Sequence, residues 1–131
     1  MLYDEGMSAA EYRRVSADDA LKLIFSAHEE DRSYTLFDVR DAHSYGHGCV
    51  PGALQLGEHD VGTWLGKLPR AQPVFIYCSL GFSSQTFAKR FADFGFSAVF
   101  SIDGGFPAII EALKQAREAA LGSDSARAGG G

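Results

Sequence analysis

The order of apolar and polar positions along the chain predicts helices alternating with strands. Ser16 precedes ADDALKLIFSA, with Asp18 and Asp19 in the first turn and Ala20, Leu21, Ile24 and Phe25 on one face, the pattern of an N-capped amphipathic helix. YTLFDVR, Tyr34 to Arg40, is a short apolar run of strand formers that ends in charge. Asp41 to Gly48 is polar with two glycines, and Val50, Pro51 and Gly52 form a turn before the modest strand ALQL, Ala53 to Leu56. Val61, Trp64, Leu65 and Leu68 then recur at helical spacing over Gly57 to Leu68, closed by Pro69.

PVFIY, Pro73 to Tyr77, is a second strand. Ser83 to Phe94 predicts a helix with Phe87, Ala88, Phe91 and Phe94 on one stripe, stopped at Gly95. SAVFSID, Ser97 to Asp103, follows as a strand. Asp103, Gly104 and Gly105 turn the chain into a last helix, about Phe106 to Ala120, with Ile109, Ile110 and Leu113 inward. A short strand is placed around Arg13 to Val15, after an extended lead-in over residues 1–12. The Gly, Ser and Ala tail, 122–131, is expected to be disordered. The expectation is therefore one α/β domain over residues 13–121, with a central, mostly parallel sheet and helices on both faces. In such sheets ligands bind beyond the carboxyl ends of the strands.

Composition narrows the function. A chain of 131 residues with 46% apolar and 22% charged content is one ordinary globular domain. A net charge of -5 without clusters of Lys and Arg argues against a nucleic-acid partner. The N-terminus, MLYDEGMSAAEYRR, is acidic and lacks an apolar segment, so neither a signal peptide nor a membrane anchor is expected. Two cysteines, Cys49 and Cys78, are too few for a disulfide scaffold, which points to a cytoplasmic location; no metal or other cofactor is implied. His43, His47 and His59 read as solvated, without ligand spacing. Trp64 reads as an anchor between helix and sheet.

The candidate chemistry lies in IYCSLGFSS, Ile76 to Ser84. The strand delivers Cys78 into a turn at Gly81, and Ser83 and Ser84, both candidate N-caps, open the next helix. Unpaired N–H groups at a helix start favour negative charge and lower a thiol pKa, so Cys78 is placed where its thiolate is stabilised. The plainer alternative is a small buried apolar residue at a strand end. Asp38 and Arg40 stand at the end of another strand, where they read as a structural charge pair that brings a cation near the anion site if the two strands are neighbours.

DVR at Asp38 to Arg40, GCVPGA at Gly48 to Ala53, YCSLGFSS at Tyr77 to Ser84 and SIDGGF at Ser101 to Phe106 resemble, in order and spacing, the successive motifs of the rhodanese domain. The resemblance spans roughly Val15 to Leu113, and the single-domain bacterial thiosulfate sulfurtransferases share the form Cys, two variable residues, Gly, one variable residue, Ser, Ser. It implies a rhodanese-like fold and sulfur transfer through a persulfide on Cys78, surrounded by the N–H groups of the loop. That loop holds Ser79, Leu80, Gly81, Phe82 and Ser83, followed by Ser84, with Asp38 and Arg40 as possible supporting residues. The implied donor is thiosulfate or another sulfane-sulfur compound, and the implied acceptor is cyanide, a small thiol or a thioredoxin-like protein.

The chain departs from many relatives in having Cys49 for His, Ser44 for Glu and Ile109 for Trp. The loop also lacks their basic residue, so a thiol-bound or persulfide donor is expected to serve better than thiosulfate. Cys49 reads as a small packed residue, against the alternative of a resolving thiol. Two other activities compete. A related cysteine phosphatase needs an arginine where Ser83 and Ser84 stand, and Arg90 comes two helical turns too late. A non-catalytic interaction module of the same fold commonly lacks the cysteine that this chain retains.

Overall fold

A computed structural model describes the backbone of residues 11–130 and the side chains of residues 11–121. Five strands, β1 (Arg13–Val15), β2 (Thr35–Asp38), β3 (Leu54–Gln55), β4 (Val74–Tyr77) and β5 (Val99–Ile102), form one sheet in the order β1-β5-β4-β2-β3. Every pairing is parallel. The helices are α1 (Ala17–Glu29), α2 (Ala42–His47), α3 (Val61–Lys67), α4 (Ser83–Asp93) and α5 (Gly105–Gly130), with a 3-10 turn over Glu58–Asp60. None among the described residues is long and apolar enough to cross a membrane. The expected lead-in over 1–12 falls mostly outside the described residues, whereas the tail over 122–131, expected to be disordered, continues the main chain of α5 as far as Gly130.

Both faces of the sheet are covered, which is why its central strands read as unbroken apolar runs. In β4, Phe75 and Tyr77 join the core under α1 and α5, while Val74 and Ile76 join the core under α3 and α4. Trp64 packs edge-on to Phe37 at 5.2 Å, the anchoring role read from its position. Chain order sets the functional end. From β2 the chain crosses to β3 on one side, and from β4 it crosses to β5 on the other, so a crevice opens between the carboxyl ends of β2 and β4.

Four expectations are corrected. Residues 42–47 form a helix, because Asp41 caps it: its carboxylate accepts from the Ser44 N–H at 2.8 Å. Phe25 is exposed, since the buried face of α1 runs through Ala17, Ala20, Leu21, Ile24 and Ala27. Phe94 stands just past α4, outside the stripe, with the Arg70 guanidinium 4.6 Å from its ring. Ile110 faces outward, and Ile109 and Ala112 fill the core instead.

Candidate active site

Cys78 follows the buried β4 directly and is 5% exposed. The chain then turns through Gly81 at φ +98°, where a Cβ would stand 2.8 Å from the Gly104 nitrogen. That conformation aims the Gly81 N–H at Cys78 Sγ, 3.1 Å away. Ser83 and Ser84 were expected to cap α4. The structure corrects this: Phe82 holds the cap position with no side-chain cap bond. Ser84 is fully buried, with its hydroxyl 3.4 Å from Cys78 Sγ and 2.8 Å from Ser101 Oγ. Ser101 reaches it because alternate residues of β5 face opposite sides: Phe100 and Ile102 turn to α1 and α5, Val99 and Ser101 towards α4. A hydroxyl has one hydrogen, so Ser84 can donate to the thiolate while accepting from Ser101.

Burial pushes the Cys78 thiol pKa up, but the Ser84 hydroxyl and the backbone N–H groups of Ser84, Gly81 and Leu80 outweigh it and hold the thiol below its ordinary value. The sulfur thus takes the place of a helix cap. Activity that needs the thiolate is then present above the lowered pKa and lost as pH falls through it. Ser84→Ala removes a lowering contact, so the acid limb of the pH–rate profile should move upward, with rates recovering at alkaline pH. An unmoved limb would show that the backbone groups suffice. The same variant leaves the buried Ser101 hydroxyl without this partner, at a cost of about 1–3 kcal/mol in stability.

The facing wall comes from β2. Its register with β4 pairs Asp38 with Tyr77, so the expected neighbourhood of the two strand ends is realised. A cleft of about 330 Å³ lies between Val39, Arg40 and Asp41 on one side and Cys78, Ser79, Leu80, Phe82 and Ser83 on the other. Asp38 is fully buried. It accepts from Arg40 Nη2 at 2.7 Å, from the Arg40 backbone N–H at 2.9 Å and from the Tyr77 hydroxyl at 2.6 Å. Burial, reinforced by Asp38, pushes the Tyr77 pKa upward and keeps that hydroxyl a donor. Arg40 Nη2 also donates to the Gly48 carbonyl at 2.6 Å, and its guanidinium carbon lies 3.9 Å from the Phe106 ring centroid. Arg40 therefore borders the cleft with its charge already matched by Asp38. Asp38 and Arg40 thus form an ion pair with each other.

The pair Gly104–Gly105, read from the sequence as the turn into the last helix, also presses on the cysteine loop. Gly105, at φ +66°, packs so closely on the loop that a Cβ would meet the Cys78 carbonyl oxygen and the Ser79 carbonyl at 2.5 Å, and the Phe106 N–H donates to that Cys78 oxygen at 2.8 Å. The adjacent glycines were the available signal; Ser101 and Tyr77 offered none, because only sheet register brings them to the loop. Cys49 is half-buried against the core under α1 and α5 and is not in the cleft walls, as the packed reading expected. His43 and His47 are exposed, in line with the solvated reading, and α2 brings their rings edge to face with centroids 4.4 Å apart. Among the described residues no group of three His, Cys, Asp or Glu side chains is placed to hold a metal ion.

Comparison with known proteins decides the family. The model of the rhodanese-like domain matches residues 16–112. The chain belongs to this family. The rhodanese chain is 35% identical, over 63% of its length and 82% of the relative's, to the thiosulfate sulfurtransferase GlpE of Shewanella oneidensis. It is 34% identical to the protein of that name from Pseudomonas entomophila, over 74% of this chain and 84% of that one. Among solved structures, a rhodanese-like domain protein from Staphylococcus aureus superposes with a TM-score of 0.61 at 18% identity, over 74% of this chain and 90% of that one. A Rhodopseudomonas palustris protein of unknown function, described as a possible tyrosine phosphatase, superposes with a TM-score of 0.63 at 26% identity, covering 83% and 86%.

Proposed function

We propose that this rhodanese is a sulfurtransferase that carries a sulfane sulfur from thiosulfate or a related donor, through a persulfide on Cys78, to cyanide or a thiol acceptor. The observation that carries this reading is a near-buried cysteine whose sulfur receives the Gly81 N–H and lies within reach of the Ser84 hydroxyl, at the head of a helix with no other cap. The Cys78 thiolate attacks the outer sulfur of thiosulfate, the S–S bond breaks, and sulfite departs with the electron pair. Cyanide or a thiolate then attacks the outer sulfur of the persulfide, and Cys78 Sγ recovers its thiolate. Sulfite leaves as a stable anion, so the step calls for a preformed thiolate and donors around it more than for a general base. Among the described residues the cleft walls contain no histidine, in keeping with that chemistry. A cytoplasmic setting, expected from the two free cysteines, suits an intermediate discharged by thiols.

The test is the intact mass of the protein after exposure to thiosulfate or to a low-molecular-weight persulfide, then to cyanide. One added sulfur atom, lost to cyanide with formation of thiocyanate, is the expected result. A protein that gains sulfur from neither donor overturns the reading. The phosphatase description of the Rhodopseudomonas palustris protein supplies the second reading. Against it, the loop ends in Ser83 and Ser84 without a phosphate-gripping arginine, and Arg90 is paired with Glu58 at 2.9 Å outside the cleft walls.

A further inference from the structure

The cleft has two zones of opposite character. Around the sulfur, N–H and hydroxyl donors are arranged to hold one negative charge, which the Cys78 thiolate supplies before loading and again on discharge. At the mouth the charge is reversed. Among the described residues, Arg40 is the one cation in the walls and is tied to Asp38, while Asp41 lines the cleft in an exposed position and makes no salt bridge. Its carboxylate is held ionised by the Ser44 N–H, and the chain as a whole is acidic. Two large apolar side chains of the catalytic loop stand out beside Cys78: Leu80 is 63% and Phe82 is 74% exposed. Val39, the other apolar residue of the walls, is half-buried, so Leu80 and Phe82 are the main apolar surface offered to something that approaches the cleft.

Resting on the sulfurtransfer reading above, we propose that the acceptor is the thiol of a polypeptide whose neighbouring residues are apolar and basic. Apolar residues cover Leu80 and Phe82, which a small thiol entering the cleft alone does not need to do, and a Lys or Arg side chain meets the unpaired Asp41. In the transfer, the acceptor thiolate attacks the outer sulfur of the protonated Cys78 persulfide. The S–S bond to Cys78 breaks, its electron pair returns to Sγ, and the outer sulfur leaves on the acceptor with its proton. Charge attraction at the mouth acts on encounter and is screened by salt.

The experiment loads Cys78 with sulfur, verifies the load by intact mass, and follows a single discharge to synthetic peptides with one cysteine flanked by Lys and Leu, Glu and Leu, or Lys and Ser. Cysteamine is the small cationic thiol for comparison, and each rate is expressed per thiolate. At low salt the Lys and Leu peptide should discharge the protein about 10-fold faster than the Glu and Leu peptide, a ratio that falls as salt rises. Asp41→Asn, which keeps a capping side chain, should shrink that ratio, and Phe82→Ser should shrink the advantage of Leu over Ser. Equal rates for the basic and acidic peptides overturn the acceptor assignment, as does cysteamine that matches the Lys and Leu peptide. A protein that never takes up sulfur overturns the sulfurtransfer reading with it, whereas a loaded protein indifferent to the peptides overturns the acceptor assignment alone.

Discussion

Cys78→Ser should leave a folded protein that transfers no sulfur. The substitution exchanges one atom for a smaller one at a position only 5% exposed, and the donors from Gly81 and Ser84 can serve a hydroxyl as they serve a thiol. The main cost to the fold is a slightly looser contact. Chemistry is lost, because a serine hydroxyl is scarcely ionised near neutral pH and an oxygen bonded to the sulfane sulfur is no substitute for a persulfide. Removal of a nucleophile that works as a unit with its surroundings costs on the order of 10⁴-fold or more, so turnover should fall to the background rate. The measurement is thiocyanate formation beside circular dichroism and thermal unfolding. Residual turnover well above background, in a variant with an unchanged melting curve, would transfer the sulfur carrier to another residue.

Gly105→Ala should damage the site from outside it. The new methyl would lie 2.5 Å from the Cys78 and Ser79 carbonyls, and the position sits at φ +66°, where a side chain is itself unfavourable. Backbone cannot rotate away as a flexible side chain would. The loop must shift, and the bond from the Phe106 N–H to the Cys78 oxygen is strained or broken. Overpacking and the left-handed conformation together should cost about 2–4 kcal/mol, and a loop displaced by about 1 Å should lose on the order of 10²-fold in turnover. Gly62→Ala is the control: it lies in α3 with nothing within 4 Å of the added carbon, so stability should hold or rise slightly. If Gly105→Ala keeps both its melting temperature and its turnover, the close packing of the glycine pair on the loop has no functional weight.

Local chemistry and strand or helix period made much of this protein legible before any coordinates. Central strands buried on both faces must be apolar throughout, so β2, β4 and β5 stood out as short uninterrupted runs, and α1 declared itself through Ser16 and its acidic first turn. Cys78 was legible for the same reason, since strand, tight glycine turn and helix start are consecutive in the chain. Where the reading missed, the deciding contact was not local or the pattern was too short. The helix over 42–47 has too few residues for a period to show, and only its capping Asp41 marked it. The serine pair looked like helix caps because a hydroxyl at a helix start usually turns back to its own backbone; here the sulfur fills that role and Ser84 turns inward to Cys78 and Ser101. Nothing in the spacing of residues 78, 84 and 101 could reveal that meeting. It depends on β4 and β5 lying side by side with Ser101 on the face towards α4, just as the matching of Arg40 by Asp38 and the pressure of Gly105 on the loop depend on which strand ends lie together. Sequence by itself determined most of the elements and the candidate cysteine because those follow from neighbours along the chain; the tertiary structure alone decided what surrounds the sulfur, because those partners are brought together by the order of the sheet.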